Sequence, residues 1–145
     1  SPFINPNSIR KLDMDLKDLT PKSDTIDVTL VHPNTGDELK NPDGSNMTIC
    51  MYATHSPEYK KVMHSQTNKR IKAATKGDDL TMTSEDLESS TLDVLASVTK
   101  NWDITFSGEK PELTIKKAKE IYTEVFWIKV QLDEAVTNSL DFTKA

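Results

Sequence analysis

The chain has 145 residues, the size of one domain able to build its own core, with 28% charged and 35% apolar residues. Its 18 basic and 23 acidic residues leave a net charge of −5, which argues against a general nucleic-acid binder. One cysteine excludes an internal disulfide framework and any multi-cysteine zinc site, and four glycines leave little material for a phosphate-cradling loop.

Residues 1–24 read as an N-terminal arm suited to ordering on a partner. Pro2, Pro6 and Pro21 punctuate it, and Ile9, Leu12, Leu16 and Leu19 recur near helical spacing. A short amphipathic helix is expected over 8–19, started by Asn7 or Ser8. The first six residues lack the basic region and apolar stretch of a signal peptide, and no apolar run reaches the roughly 20 residues a membrane span needs. A cytoplasmic location without a membrane partner is therefore expected.

Alternation follows. Ile26, Val28 and Leu30 are separated by Asp27 and Thr29, the period-two pattern of a half-buried strand. Residues 33–46 are dense in turn formers, with Asp43-Gly44 suited to a tight turn. A second strand is expected over 48–53, making an antiparallel hairpin with a long loop.

Helical patterns occupy the rest. Ser56-Pro57-Glu58 predicts a helix start: a hydroxyl cap, a proline where no amide bond is lost, and an acid at the positive helix end. Tyr59, Val62, Met63, Gln66 and Arg70 fall on one side of that helix, a short apolar face. From Ser84 onward Leu87, Thr91, Leu95, Val98 and Trp102 share one face, with Val94 beside it. Residues 100–113 form a linker whose turn is marked by Ser107-Gly108. Thr114 is the expected cap of a third helix carrying Ile115, Ala118, Ile121, Tyr122 and Val125. A break near Phe126-Trp127 lets Ile128, Leu132, Ala135 and Val136 continue as a further helical segment. The fold class expected is α+β: a small antiparallel hairpin or sheet followed by a bundle of three to four helices, with residues 25–145 as a single domain behind the arm.

Nothing in the pattern supports catalysis. His32, His55 and His64 make no i, i+4 pair, and Cys50 sits in the apolar run Ile49-Cys50-Met51, the setting of an inert buried thiol. Asp13 with Asp15, and Asp78 with Asp79, lack the spacing of a calcium loop and read as solvated acids. No cofactor, no metal and no enzymatic activity are expected.

One charge feature stands apart. Between Tyr59 and Gly77 lie six basic residues (Lys60, Lys61, Lys69, Arg70, Lys72 and Lys76) and no acid, so the remainder of the chain carries −11, which is −5 less +6. Three readings compete: a phosphate contact, steering onto an acidic protein partner, and a solvated face that balances the acid-rich helix after it. Trp102 and Trp127 read as core anchors between helices, with a protein contact at one edge as the sharper alternative.

Three pieces in fixed order carry a resemblance: HSPEYKKVMHSQTNKR after the hairpin, then VTKNWDITFSGEKPELT, then KAKEIYTEVFWIKVQLDEAVTNSLDF. With the hairpin before them they cover about residues 25–142. In this order the chain resembles tail assembly chaperones of tailed bacteriophages and prophages. The resemblance implies a small, mostly helical, non-enzymatic late protein made in the host cytoplasm. Such proteins hold tape-measure or tail-tube subunits soluble until assembly, often as homo-oligomers. Trp102, Tyr122, Trp127, Ile128, Gln131 and Phe142 occupy the recurrent places. The partner-binding candidates are thus Lys60, Lys61, Lys69, Arg70 and Lys72 from the basic segment, with Trp127, Ile128, Gln131 and Phe142 from the C-terminal one. The long inter-strand loop and the proline-bearing arm depart from a minimal chaperone. They suit the alternative of a virion structural component such as a capsid cement, head–tail neck or tail protein.

Overall fold

Period-two alternation produces β1 (Thr25–Thr29), and the apolar run around Cys50 produces β2 (Thr48–Tyr52). The structure, a computed structural model, describes residues 15–19, 21, 23–77 and 83–138. The two strands pair antiparallel, with Val28 opposite Ile49 and Ile26 opposite Met51. A third strand, β3 (Thr99–Asp103), joins the other side of β2 antiparallel, with Ile49 opposite Trp102 and Met51 opposite Thr99 across a bulge. The spatial order is β1-β2-β3.

Four helices complete the α+β fold: α1 (Pro57–Thr75) and α2 (Ser84–Ser97) before β3, α3 (Ile115–Glu124) and α4 (Phe126–Thr137) after it. Most of the starts anticipated from the sequence are present. Ser56 Oγ accepts from Tyr59 N–H at 3.1 Å and donates to Ala53 O at 2.7 Å, which ties the α1 cap to the end of β2. Thr83 and Asp86 form a reciprocal capping box on α2, and Thr114 Oγ accepts from Lys117 N–H on α3. Val125 separates α3 from α4. Its N–H still reaches Ile121 O, its own carbonyl accepts from Ile128 N–H, and no side chain caps α4.

The core lies between one face of the sheet and helices α2 to α4. Val28, Ile49 and Met51 meet Leu92, Leu95 and Val98, then Ala118, Ile121 and Tyr122, then Ile128, Leu132 and Val136. Within it Tyr122 Oη and Thr99 Oγ1 lie 2.8 Å apart, and the same hydroxyl of Thr99 donates to Leu95 O at 2.8 Å. Trp102 stands edge-on to Tyr122, with ring centroids 6.4 Å apart, and its indole N–H donates to Pro111 O. Burial pushes the Tyr122 phenol up to about 12.

The expected helical stripe through Val98 and Trp102 ends early. Helix α2 stops at Ser97, and Trp102 sits on β3. Spacing of four residues fits a helix, but the backbone of 99–103 finds a ladder on the free edge of β2, and this pairing outweighs the local pattern. Residues 33–46 are likewise built rather than open. Leu39 N–H donates to Leu30 O and Met47 N–H to Leu39 O, with isolated bridges Val31–Glu38 and Lys40–Asn46. At Ser107-Gly108 both residues take positive φ, 53° and 77°, closing a two-residue turn between Phe106 and Glu109. Of the expected helix over 8–19, residues 8–14 lie outside the described residues, and Leu16–Asp18 form a 3-10 turn capped by Asp15.

Candidate partner-binding surface

The longest helix is the least buried. Helix α1 runs 19 residues, about 28 Å at helical rise, and contains no buried residue. Tyr59, Val62 and Gln66 lean on the body, whereas beyond Gln66 the helix exposes nearly everything, including Ile71 at 57%. It stops where Gly77 takes φ 77° and donates its N–H to Ala74 O.

The six cations of the basic segment all lie on this exposed helix or its cap, and among the described residues none forms an ion pair. Lys61, Ser65, Asn68 and Lys72 follow spacings of three and four and, with His64 and Lys69, outline a shallow groove on one side of the helix. Four lysines elsewhere are engaged: Lys119 with Asp93 at 2.8 Å, Lys117 with Glu120, Lys40 with Glu38, and Lys110 with both Asp43 and Asp103. Lys17, Lys100, Lys116 and Lys129 form no ion pair among the described residues. Six of the ten unpaired lysines and arginines among the described residues thus lie on α1 or its cap, and all six are exposed.

Beside the foot of α1 lies a second feature. Tyr59 and Met63 of α1, Thr91, Val94 and Leu95 of α2, and Asp133 of α4 line an open groove of about 300 Å³. Leu95 is buried on its floor, and Met63 is 40% exposed at its rim. Burial raises the Asp133 carboxyl above its ordinary value, and Lys129 acts in the opposite sense. The groove residues went unnoticed in the sequence because they come from three elements. The available signal was the α1 stripe Tyr59, Met63, Arg70, which packs on the body only at Tyr59 and leaves Met63 and Arg70 exposed.

The C-terminal candidates divide. Ile128 is 4% exposed and belongs to the core, with Trp127 half-buried against it. The Gln131 side chain accepts from Val31 N–H at 3.1 Å and donates to Val31 O at 2.9 Å, locking α4 to the chain just after β1. These residues hold the fold rather than face solvent. The exposed apolar residues of α4 are instead Phe126, at 72%, and Val130 one turn on. Phe142 lies outside the described residues, as do Asp13, Asp78 and Asp79.

Other polar groups have internal employment. Buried Asn41 donates through Nδ2 to Ser45 Oγ and Asp103 O and accepts from Thr105 Oγ1 at 2.6 Å. Ser45 and Lys110 hold the Asp43 carboxyl well below the usual carboxylate range, and Asp103 with Asp43 raises the Lys110 ammonium. This clasp fastens the inter-strand loop to the segment after β3. His32 Nδ1 accepts from Asn34 and Thr35 N–H, and His55 Nε2 lies 2.9 Å from Ser23 O. Cys50 is buried on the sheet face away from the core, and burial with the neighbouring Asp27 pushes its thiol up, opposite to an activated nucleophile. Among the described residues no three His, Cys, Asp or Glu side chains converge as a metal site, and no helix is long and apolar enough to cross a membrane.

No protein-family model matches the chain, and comparison with curated proteins and with solved structures likewise gives no match.

Proposed function

We propose that this chain is a non-enzymatic phage morphogenesis protein, similar to tail assembly chaperones, that binds a tape-measure or tail-tube protein in the host cytoplasm. The observation that carries the reading is α1: a 19-residue helix with no buried residue and five of the segment's unpaired cations. A helix packed this sparsely gains little from its own fold, so its exposed length is available to another chain. The resemblance over residues 25–142 supplies the phage assignment, and α1 coincides with its first piece. Co-expression with the tape-measure protein followed by pull-down tests this: a complex retained at low salt and weakened at high salt is expected. No complex in either buffer removes the proposal.

A structural role in the virion is the second reading, favoured by the clasp around Asn41, Asp43, Asp103 and Lys110. So ordered a loop gives a rigid edge of the kind a particle component presents to neighbours. Mass spectrometry of purified particles separates the two: a chaperone is absent, whereas a structural protein is present at stoichiometric copy.

A further inference from the structure

We infer that the groove between α1, α2 and α4 is the docking site for a partner segment that forms an amphipathic helix, apolar on one face and acidic along one flank. This rests on the protein-binding reading above and adds to it a location and an occupant.

The groove has the shape and lining for side chains. Its volume of about 300 Å³ exceeds a single aliphatic side chain, and Tyr59, Met63, Val94 and Leu95 supply apolar walls from two helices. Two stripes lead out of it toward the connection between α1 and α2. On α1, Tyr59 and Met63 continue to Arg70, at steps of four and seven. On α2, Leu95 and Thr91 continue at steps of four to Leu87, which is 60% exposed. An occupant lying along this track meets apolar surface at both ends and the exposed cations of α1 along one side, while Lys129 of α4 acts on Asp133 at the other.

Charge selects among occupants. Lys60 follows Tyr59 in sequence and Arg70 extends the line of Tyr59 and Met63; both are exposed, and neither has an acidic partner among the described residues. An acidic flank on the occupant complements them. Asp133 closes the opposite side of the groove with a carboxylate, and the apolar walls are interleaved with the hydroxyl side chains of Thr54, Ser90, Thr91 and Thr137. A phosphate backbone has no apolar ridge to fill such a groove and is repelled by that carboxylate, so a peptide helix fits where a nucleic acid does not.

The test uses the full chain and a fluorescein-labelled peptide of about 20 residues with leucines at i, i+4 and i+7 and glutamates along one flank. A scrambled peptide of the same composition and a single-stranded DNA oligonucleotide serve as competing probes. Fluorescence anisotropy is expected to show binding of the amphipathic peptide alone. Amide chemical-shift mapping is expected to place it at Tyr59, Met63, Thr91 and Val94. Met63→Asp, at an exposed rim, is expected to weaken binding about tenfold or more, and Lys60→Glu with Arg70→Glu by a similar factor with a flatter salt dependence.

Peptide shifts mapped to Phe126 and Val130 overturn the inference, as do DNA binding tighter than the peptide and unchanged peptide affinity in both variants. The mapping on unsubstituted protein decides the matter even if a variant misfolds. The pull-down keeps the two proposals apart. A tape-measure complex that survives both variants sinks the groove alone, while absence of any complex with unsubstituted protein sinks the chaperone reading and leaves the peptide data to judge the groove.

Discussion

Helices α1 and α3 are opposites. The shorter, α3, spans 10 residues and buries Ala118, Ile121 and Tyr122 against the sheet layer, whereas α1 spans 19 and buries none. Length is therefore no guide to which helix stabilises the fold. The difference follows from pattern: α3 places its apolar residues at steps of three and four, while α1 interrupts a short apolar face with Gln66 and Arg70 and surrounds it with lysines. One helix is spent on the core and the other is left for the surface.

The contrast breaks hardest at Tyr122. Tyr122→Ala removes the largest fully buried side chain and its contact with Trp102 and is expected to cost about 3–5 kcal/mol, read from urea unfolding. An equal loss on replacing any exposed α1 side chain would erase the distinction between the two helices.

Alkali probes the same residue without mutation. With the phenol raised to about 12 from an ordinary value of 10, the unfolded chain loses this proton first as pH rises. The stabilising contribution is thus complete below the unfolded value and is lost as pH climbs from there through the folded one. Two units correspond to roughly 2–3 kcal/mol. Stability measured by urea titration at successive pH values is expected to fall over this window. Tyr122→Phe is expected to lack that component of the slope, and an identical slope in the variant refutes the assignment.

Gln131 sharpens the comparison at intermediate size. Gln131→Ala abandons two hydrogen bonds to Val31 and is expected to cost about 1–2 kcal/mol, seen as a lower urea midpoint. Were the residue a partner contact instead, the midpoint would stay and only complex formation would suffer. Smallest in stability is Lys69→Glu with Lys72→Glu on α1. The urea midpoint is expected to remain that of the unsubstituted protein, while retention of the tape-measure protein at low salt drops. A large fall in midpoint would mean that α1 is held to the body through these charges.

Local chemistry was readable in advance where it needed only neighbours in sequence. The Ser56-Pro57-Glu58 start and the Thr114 cap each depend on residues within a turn of one another, whereas the break expected near Phe126-Trp127 falls at Val125, and Phe126 and Trp127 already belong to α4. Trp102 was misplaced for the converse reason. Its spacing from Val98 satisfies a helix, and only the unpaired edge of β2, some 50 residues earlier in the chain, makes a strand the better home for its backbone. Gln131 stood out in sequence by its position in a recurrent pattern, but its role as a lock on Val31 required a partner 100 residues away. The groove residues shared the same difficulty, since no single element carries more than a few of them.

The sequence by itself determined the α+β class, the helix starts and the concentration of six basic residues within one stretch, because caps, periodicity and charge are properties of short segments. Tertiary structure alone decided that this basic helix remains uncovered, that a third strand closes the sheet, and that Ile128 and Gln131 serve the core and its edge. Burial and strand pairing are set by residues far apart in the chain, and their free energy exists only once the chain has brought them together.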